Sequence, residues 1–179
     1  MLFEELMKTV CLVGQGYSGK SFAIFEAAKW LWQMNDDYEI TDLQFDKALY
    51  AGSEYLPEKS DLRTVFEVNG KRILFVSATD DTKCINRLIK VLEQLSEASI
   101  IPDILVTACR RYDDSAFTTM INQMQWNVKG DKLFDNNGEE IIQIPVIYIQ
   151  DIRNRDQVIK WYNHLTARLL QHILQELVF

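Results

Sequence analysis

Short apolar runs alternate along the chain with longer stretches in which apolar residues recur every three or four positions, a pattern that predicts strands interleaved with helices. Thr9–Val13 is apolar and partly β-branched, as expected of a buried strand, and it runs directly into a glycine-rich octet. Beyond the octet, Phe22, Ile24, Phe25, Ala27, Ala28, Leu31 and Trp32 make a helix apolar almost all round, so it should be covered on more than one side. Residues 35–63 are polar and irregular, broken at most by a short helix near Leu43–Tyr50. Thr64–Val68 and Arg72–Ser77 then flank Asn69-Gly70, the dipeptide that supplies the two positive φ angles of a type I′ hairpin turn.

A helix is predicted over Thr82–Ala98, with Ile85, Leu88, Ile89, Leu92 and Leu95 at helical spacing, followed by a buried strand over Ile100–Thr107. Asp113 or Asp114 should cap a helix carrying Phe117, Met120, Ile121 and Met124. Between 129 and 143, Asn136-Asn137-Gly138 marks an inserted turn or small hairpin, and Ile144–Ile149 reads as a further strand. A last helix from about Arg155 carries Val158, Trp161, Leu165, Leu169, Ile173 and Leu177 on one stripe, which with Trp30 is expected to face the core. His164 and His172 on the same helix have no carboxylate pattern for catalysis and are expected at the surface or in packing.

Such alternation implies an α/β fold with a mainly parallel sheet, one antiparallel hairpin strand and helices on both faces, in three layers. At 179 residues the chain suits a single domain, 1–179, and 25% charged residues beside 47% apolar ones are globular values. A net charge of −7 argues against nucleic acid as the main ligand, because a phosphate-tracking surface is basic. Cys11, Cys84 and Cys109 are widely spaced, with no CxxC pair, and read as reduced thiols of a cytoplasmic protein. The opening MLFEELMK has no long apolar stretch and does not read as a signal peptide, and no run of 18 apolar residues is present to span a membrane.

The octet is where chemistry concentrates. Gly14-Gln15-Gly16-Tyr17-Ser18-Gly19-Lys20-Ser21 fits GxxxxGK followed by Ser or Thr without a mismatch, between a predicted strand and a predicted helix. Glycines let such a loop curl with its N–H groups inward around phosphate oxygens, and the helix start adds positive potential. Lys20 would reach the β- and γ-phosphates of a nucleoside triphosphate, and the Ser21 hydroxyl would ligate Mg²⁺.

With its hydrophobic-Val-Gly lead-in, Val10-Cys11-Leu12-Val13-Gly14, and a hairpin after the first helix, the chain resembles the P-loop NTPases, and in layout the Ras-like small GTPases. The resemblance implies a P-loop fold that binds GTP or ATP with Mg²⁺ and hydrolyses it slowly as a switch, Lys20 and Asp80 acting catalytically. The family ends its third strand in DxxG, whereas here Ser77-Ala78-Thr79-Asp80-Asp81-Thr82 lacks the glycine, leaving Asp80 as the preferred magnesium partner. Thr41 stands where a metal-ligating switch threonine would be sought, and Asp151, in Gln150-Asp151-Ile152-Arg153-Asn154, replaces the base-reading NKxD. One strand–helix unit of the family's six-stranded sheet is expected to be missing.

Two other readings share the loop. A nucleotide or nucleoside kinase would use Arg110-Arg111 or Arg153 and Arg155, which lie just beyond strand ends, to neutralise a transferring phosphoryl group. A pseudo-GTPase would bind nucleotide without turnover and serve as an interaction module. Under the switch reading a protein partner would engage the loop 35–63.

Overall fold

The first described element is strand β1 (Lys8–Gly14), in which Thr9 to Leu12 are all buried. The computed structural model describes residues 7–15, 19–33, 40–42, 62–146 and 155–179. Helix α1 (Lys20–Gln33) follows, then the short β2 (Ile40–Asp42) and the strands β3 (Arg63–Val68) and β4 (Lys71–Val76). Asn69 (φ 52°) and Gly70 (φ 73°) both take positive φ between them, the I′ geometry that matches the twist of the flanking strands.

Helix α2 (Thr82–Glu97) begins where the Asp81 carboxylate accepts the Cys84 N–H at 2.7 Å, and buries Ile85, Leu88, Val91, Leu92 and Leu95. Strand β5 (Ile104–Cys109) starts later than the apolar run, because Pro102 has no N–H for a ladder. Asp103 instead ties the bottom of the sheet: its carboxylate accepts from the Arg72 N–H, and its carbonyl from that of Lys8. Helix α3 (Ser115–Met124) is capped by Asp114, which accepts from the Ala116 N–H at 2.8 Å.

The inserted hairpin pairs β6 (Asn127–Lys129) with β7 (Lys132–Phe134), and it turns at Gly130-Asp131. Asn136-Asn137-Gly138 makes a second reversal, held by the buried Asp135 carboxylate, which accepts from the N–H groups of Asn137 and Glu139. Strand β8 (Ile142–Val146) tolerates Pro145 because it is an edge strand, and helix α4 (Arg155–Val178) closes the chain.

The main sheet runs β2-β3-β4-β5-β1-β8, with β4, β5, β1 and β8 parallel and β2 and β3 antiparallel to their neighbours. Among the described residues it has six strands, which corrects the expected shortfall in strands: the short β2 supplies the sixth. Alternate residues of the same strands feed two cores. Val10, Leu12, Ile73, Phe75 and Val106 pack under α1 and α4, while Cys11, Leu74, Val76 and Leu105 pack under α2 and α3. Helices therefore cover both faces, and α1, wedged between sheet and α4, buries most of its surface as its all-round apolarity requires.

The terminal helix departs from expectation. Ala167, Leu170, Leu174 and Val178 are its buried apolar positions among the described residues, while Trp161 is 64% exposed and Leu165 and Leu169 are also exposed. Apolar residues occupy a wide arc of α4, and α1 with the sheet covers only one side of it; period alone cannot say which side. Trp30 is partly buried against the core as expected, and His164 and His172 are exposed, with His164 edge-on to Phe22 at 5.4 Å. Among the described residues no helix is long and apolar enough to cross a membrane.

Candidate functional site

Parallel strands present their carboxyl ends on one side of the sheet, and connections between them gather the chemistry there. β1 ends at Gly14, and α1 starts at Lys20. Gly19 holds φ at +88°, open to glycine and costly for other residues. It is also crowded by α4: a methyl group built on it would lie 2.6 Å from Cγ and 2.9 Å from Nδ2 of Asn163. Gly16, Tyr17 and Ser18 lie outside the described residues, as does Asp151.

Lys20 is 5% exposed and folds back over the loop, its ammonium donating to the carbonyls of Gly14 at 3.1 Å and Gln15 at 2.5 Å. A buried ammonium needs such acceptors, because taking an ion out of water without partners carries an effective penalty of several kcal/mol. Burial pushes the Lys20 pKa below its usual value; nearby Asp80 works against that shift and Arg110 adds to it. Asp80 Oδ1 stands 3.8 Å from the ammonium and 3.1 Å from Arg110 Nε. That guanidinium N–H is buried and, among the described residues, lies outside hydrogen-bond geometry to an acceptor, so its contact with Asp80 is a close ion pair.

The arrangement is not obvious from the strand order, because β5 lies between β4 and β1. The buried segment Ser77–Thr79 crosses the top of β5, and the Thr79 hydroxyl donates to the Ala108 carbonyl. This carries Asp80 across to Lys20. The Ser21 hydroxyl donates to the Ser77 carbonyl at 3.4 Å, linking the head of α1 to the same crossing. Behind the site, Cys11 and Cys109 are buried free thiols with sulfurs 3.3 Å apart, and burial raises the Cys11 pKa well above its ordinary value. These are unreactive packing groups.

No family model, curated protein or solved structure matches this chain. The site is therefore read from its own residues. Gly14, Gln15, Gly19, Lys20, Ser21 and Asp80 come together, and Arg110 joins them, a residue whose only signal in the sequence is its place after β5. Thr41 does not. It pairs with Glu67 in β2 on the outer edge of the sheet, four strand spacings or roughly 19 Å across from β1. Asn163 carries no sequence signal at all, since only the packing of α4 on α1 brings it to Gly19.

Mg²⁺ takes few protein ligands and completes its octahedron with water and phosphate oxygens. One hydroxyl, Ser21, bonded to the Ser77 carbonyl, and one carboxylate, Asp80, 3.8 Å from the Lys20 ammonium, are donors of that hard-oxygen kind. No cluster of three or more His, Cys, Asp or Glu side chains occurs among the described residues.

Proposed function

We propose that the chain is a P-loop nucleotide-binding protein that takes a nucleoside triphosphate, GTP or ATP, with Mg²⁺ at Gly14–Ser21 and hydrolyses it slowly. One observation carries the reading. Lys20 heads a helix at the end of a central parallel strand, with its buried ammonium turned onto the loop carbonyls and a carboxylate 3.8 Å away. A phosphate-binding loop needs a cation at its helix end, and Lys20, held by two carbonyls at the end of β1, stands there.

In the proposed mechanism the loop amides and the head of α1 bind the phosphate tail, and Lys20 neutralises charge on the β- and γ-oxygens. Mg²⁺ would be held by Ser21 directly and by Asp80 through water, and would supply electrostatic screening of the phosphates. Arg110 fixes Asp80 and adds positive potential where charge develops. The switch role and a protein partner at 35–63 belong to the same proposal.

Titration of ATP and GTP with Mg²⁺ into wild type and Lys20→Ala, followed by phosphate release, tests this. Binding should fall by at least tenfold in the variant and turnover should reach background; equal binding and equal release would end the proposal. The Arg110–Asp80 contact favours a second reading, phosphoryl transfer to a nucleoside or nucleotide acceptor. Product analysis with and without acceptors separates the two, and binding without turnover would leave the pseudo-GTPase.

A further inference from the structure

A groove of about 470 Å³ opens on the α2/α3 side of the sheet, over the ends of β1 and β8. It exists because the crossing from β5 to β8 covers that edge with β7 rather than with a helix. Val13 and Pro145, paired across β1 and β8, form its apolar floor, and the half-exposed ring of Tyr112 forms a wall. The ring is fixed in place: it packs edge-on to Phe117 at 4.7 Å, and its hydroxyl donates to the Asp131 carbonyl at 3.1 Å. The Gln143 amide donates to the same carbonyl at 3.1 Å, so wall and floor are tied together at the hairpin turn. Volumes and linings of this kind, apolar and aromatic with a few fixed polar groups, are those of small-molecule sites.

Its place relative to Lys20 decides the ligand. Asp80 and Arg110 come from the ends of β4 and β5, on one side of β1, while β8 lies on the other. A nucleotide lying across the strand ends with its terminal phosphates at Lys20 and Asp80 directs its other end towards β8. The groove begins there, at Gln15, whose carbonyl receives the Lys20 ammonium. It is also chemically the wrong place for phosphate. Asp131 adds a negative charge, and the Arg111 guanidinium beside it is turned to Asp113 at 3.7 Å. A flat, uncharged ring with polar edges suits it.

We propose that this groove holds the nucleoside of the bound nucleotide, its base against Tyr112 and beside Gln143. The proposal rests on the phosphate-loop reading, so its test compares two ligands that share phosphates and differ in the nucleoside. Calorimetry with Mg²⁺ measures ATP, GTP and inorganic triphosphate against wild type, Tyr112→Ala and Tyr112→Phe. Wild type should prefer one nucleoside triphosphate over inorganic triphosphate, and Tyr112→Ala should shrink that preference by roughly tenfold, the scale of one base–aromatic stack. Tyr112→Phe, which keeps the ring, should retain most of it.

A preference that Tyr112→Ala and Gln143→Ala both leave intact would overturn the groove assignment while sparing the loop. No binding of any of the three ligands would remove the loop reading and the groove with it. Free adenosine or guanosine binding alongside saturating triphosphate and becoming phosphorylated would also overturn it, and would make the groove an acceptor site.

Discussion

Replacing Gly19 with alanine perturbs two separate things at one atom. The backbone holds φ at +88°, which costs an L-residue with a Cβ about 1–2 kcal/mol. The added methyl would also fall 2.6 Å from Cγ of Asn163, well inside contact distance, so the side chain on α4 must turn away or the helix must shift. Overpacking of that kind costs about 1–3 kcal/mol. The sum is about 2–5 kcal/mol, and in a chain of 179 residues each kcal/mol lowers the midpoint of thermal unfolding by about 2–4 °C.

Urea denaturation without nucleotide, on wild type, Gly19→Ala, Asn163→Ala and the double variant, separates the parts. If Asn163 crowds Gly19, the double variant recovers the packing share and leaves about 1–2 kcal/mol for the backbone. Strict additivity of the two single costs would show that α4 does not abut the loop as described. A Gly19→Ala protein with the wild-type midpoint would refute the left-handed backbone as well.

On α4, Leu170→Ala should cost about 2–5 kcal/mol and Leu169→Ser less than about 0.5, because Leu170 is buried and its neighbour is exposed; equal losses in chemical denaturation would contradict the observed face. At Asp81, the Cys84 N–H holds the carboxyl below its usual range, so its contribution to stability is present above about pH 4 and fades as pH falls through the lowered value. The acid limb of stability should accordingly be shallower in Asp81→Asn than in wild type, and identical limbs would dismiss the cap. Of the three thiols, only the half-exposed Cys84 should react quickly with an aromatic disulfide in native protein; Cys11 and Cys109 should need unfolding, and three fast equivalents would contradict their burial.

The sequence by itself determined the local structure wherever one short-range rule acted without competition. Asn69-Gly70 specified the hairpin turn, Asp81 and Asp114 the helix starts, and the spacing of Ile85, Leu88, Leu92 and Leu95 the buried face of α2. The octet stands out in the sequence for the same reason, since its glycines, lysine and hydroxyl are contiguous, and the structure describes Gly14, Gln15, Gly19, Lys20 and Ser21 of it. Tertiary structure decided everything that depends on which elements are neighbours. β5 rather than β4 adjoins β1, which sends Ser77–Thr79 across the sheet to deliver Asp80 and sets Thr41 on the far edge. The helix α4 has apolar residues around most of its circumference, and only its contact with α1 selected Leu170 and Leu174 for the core and left Trp161 and Leu169 outside. Turns and caps are decided within a few residues of chain, whereas strand order and helix facing are decided by which large surfaces leave water together.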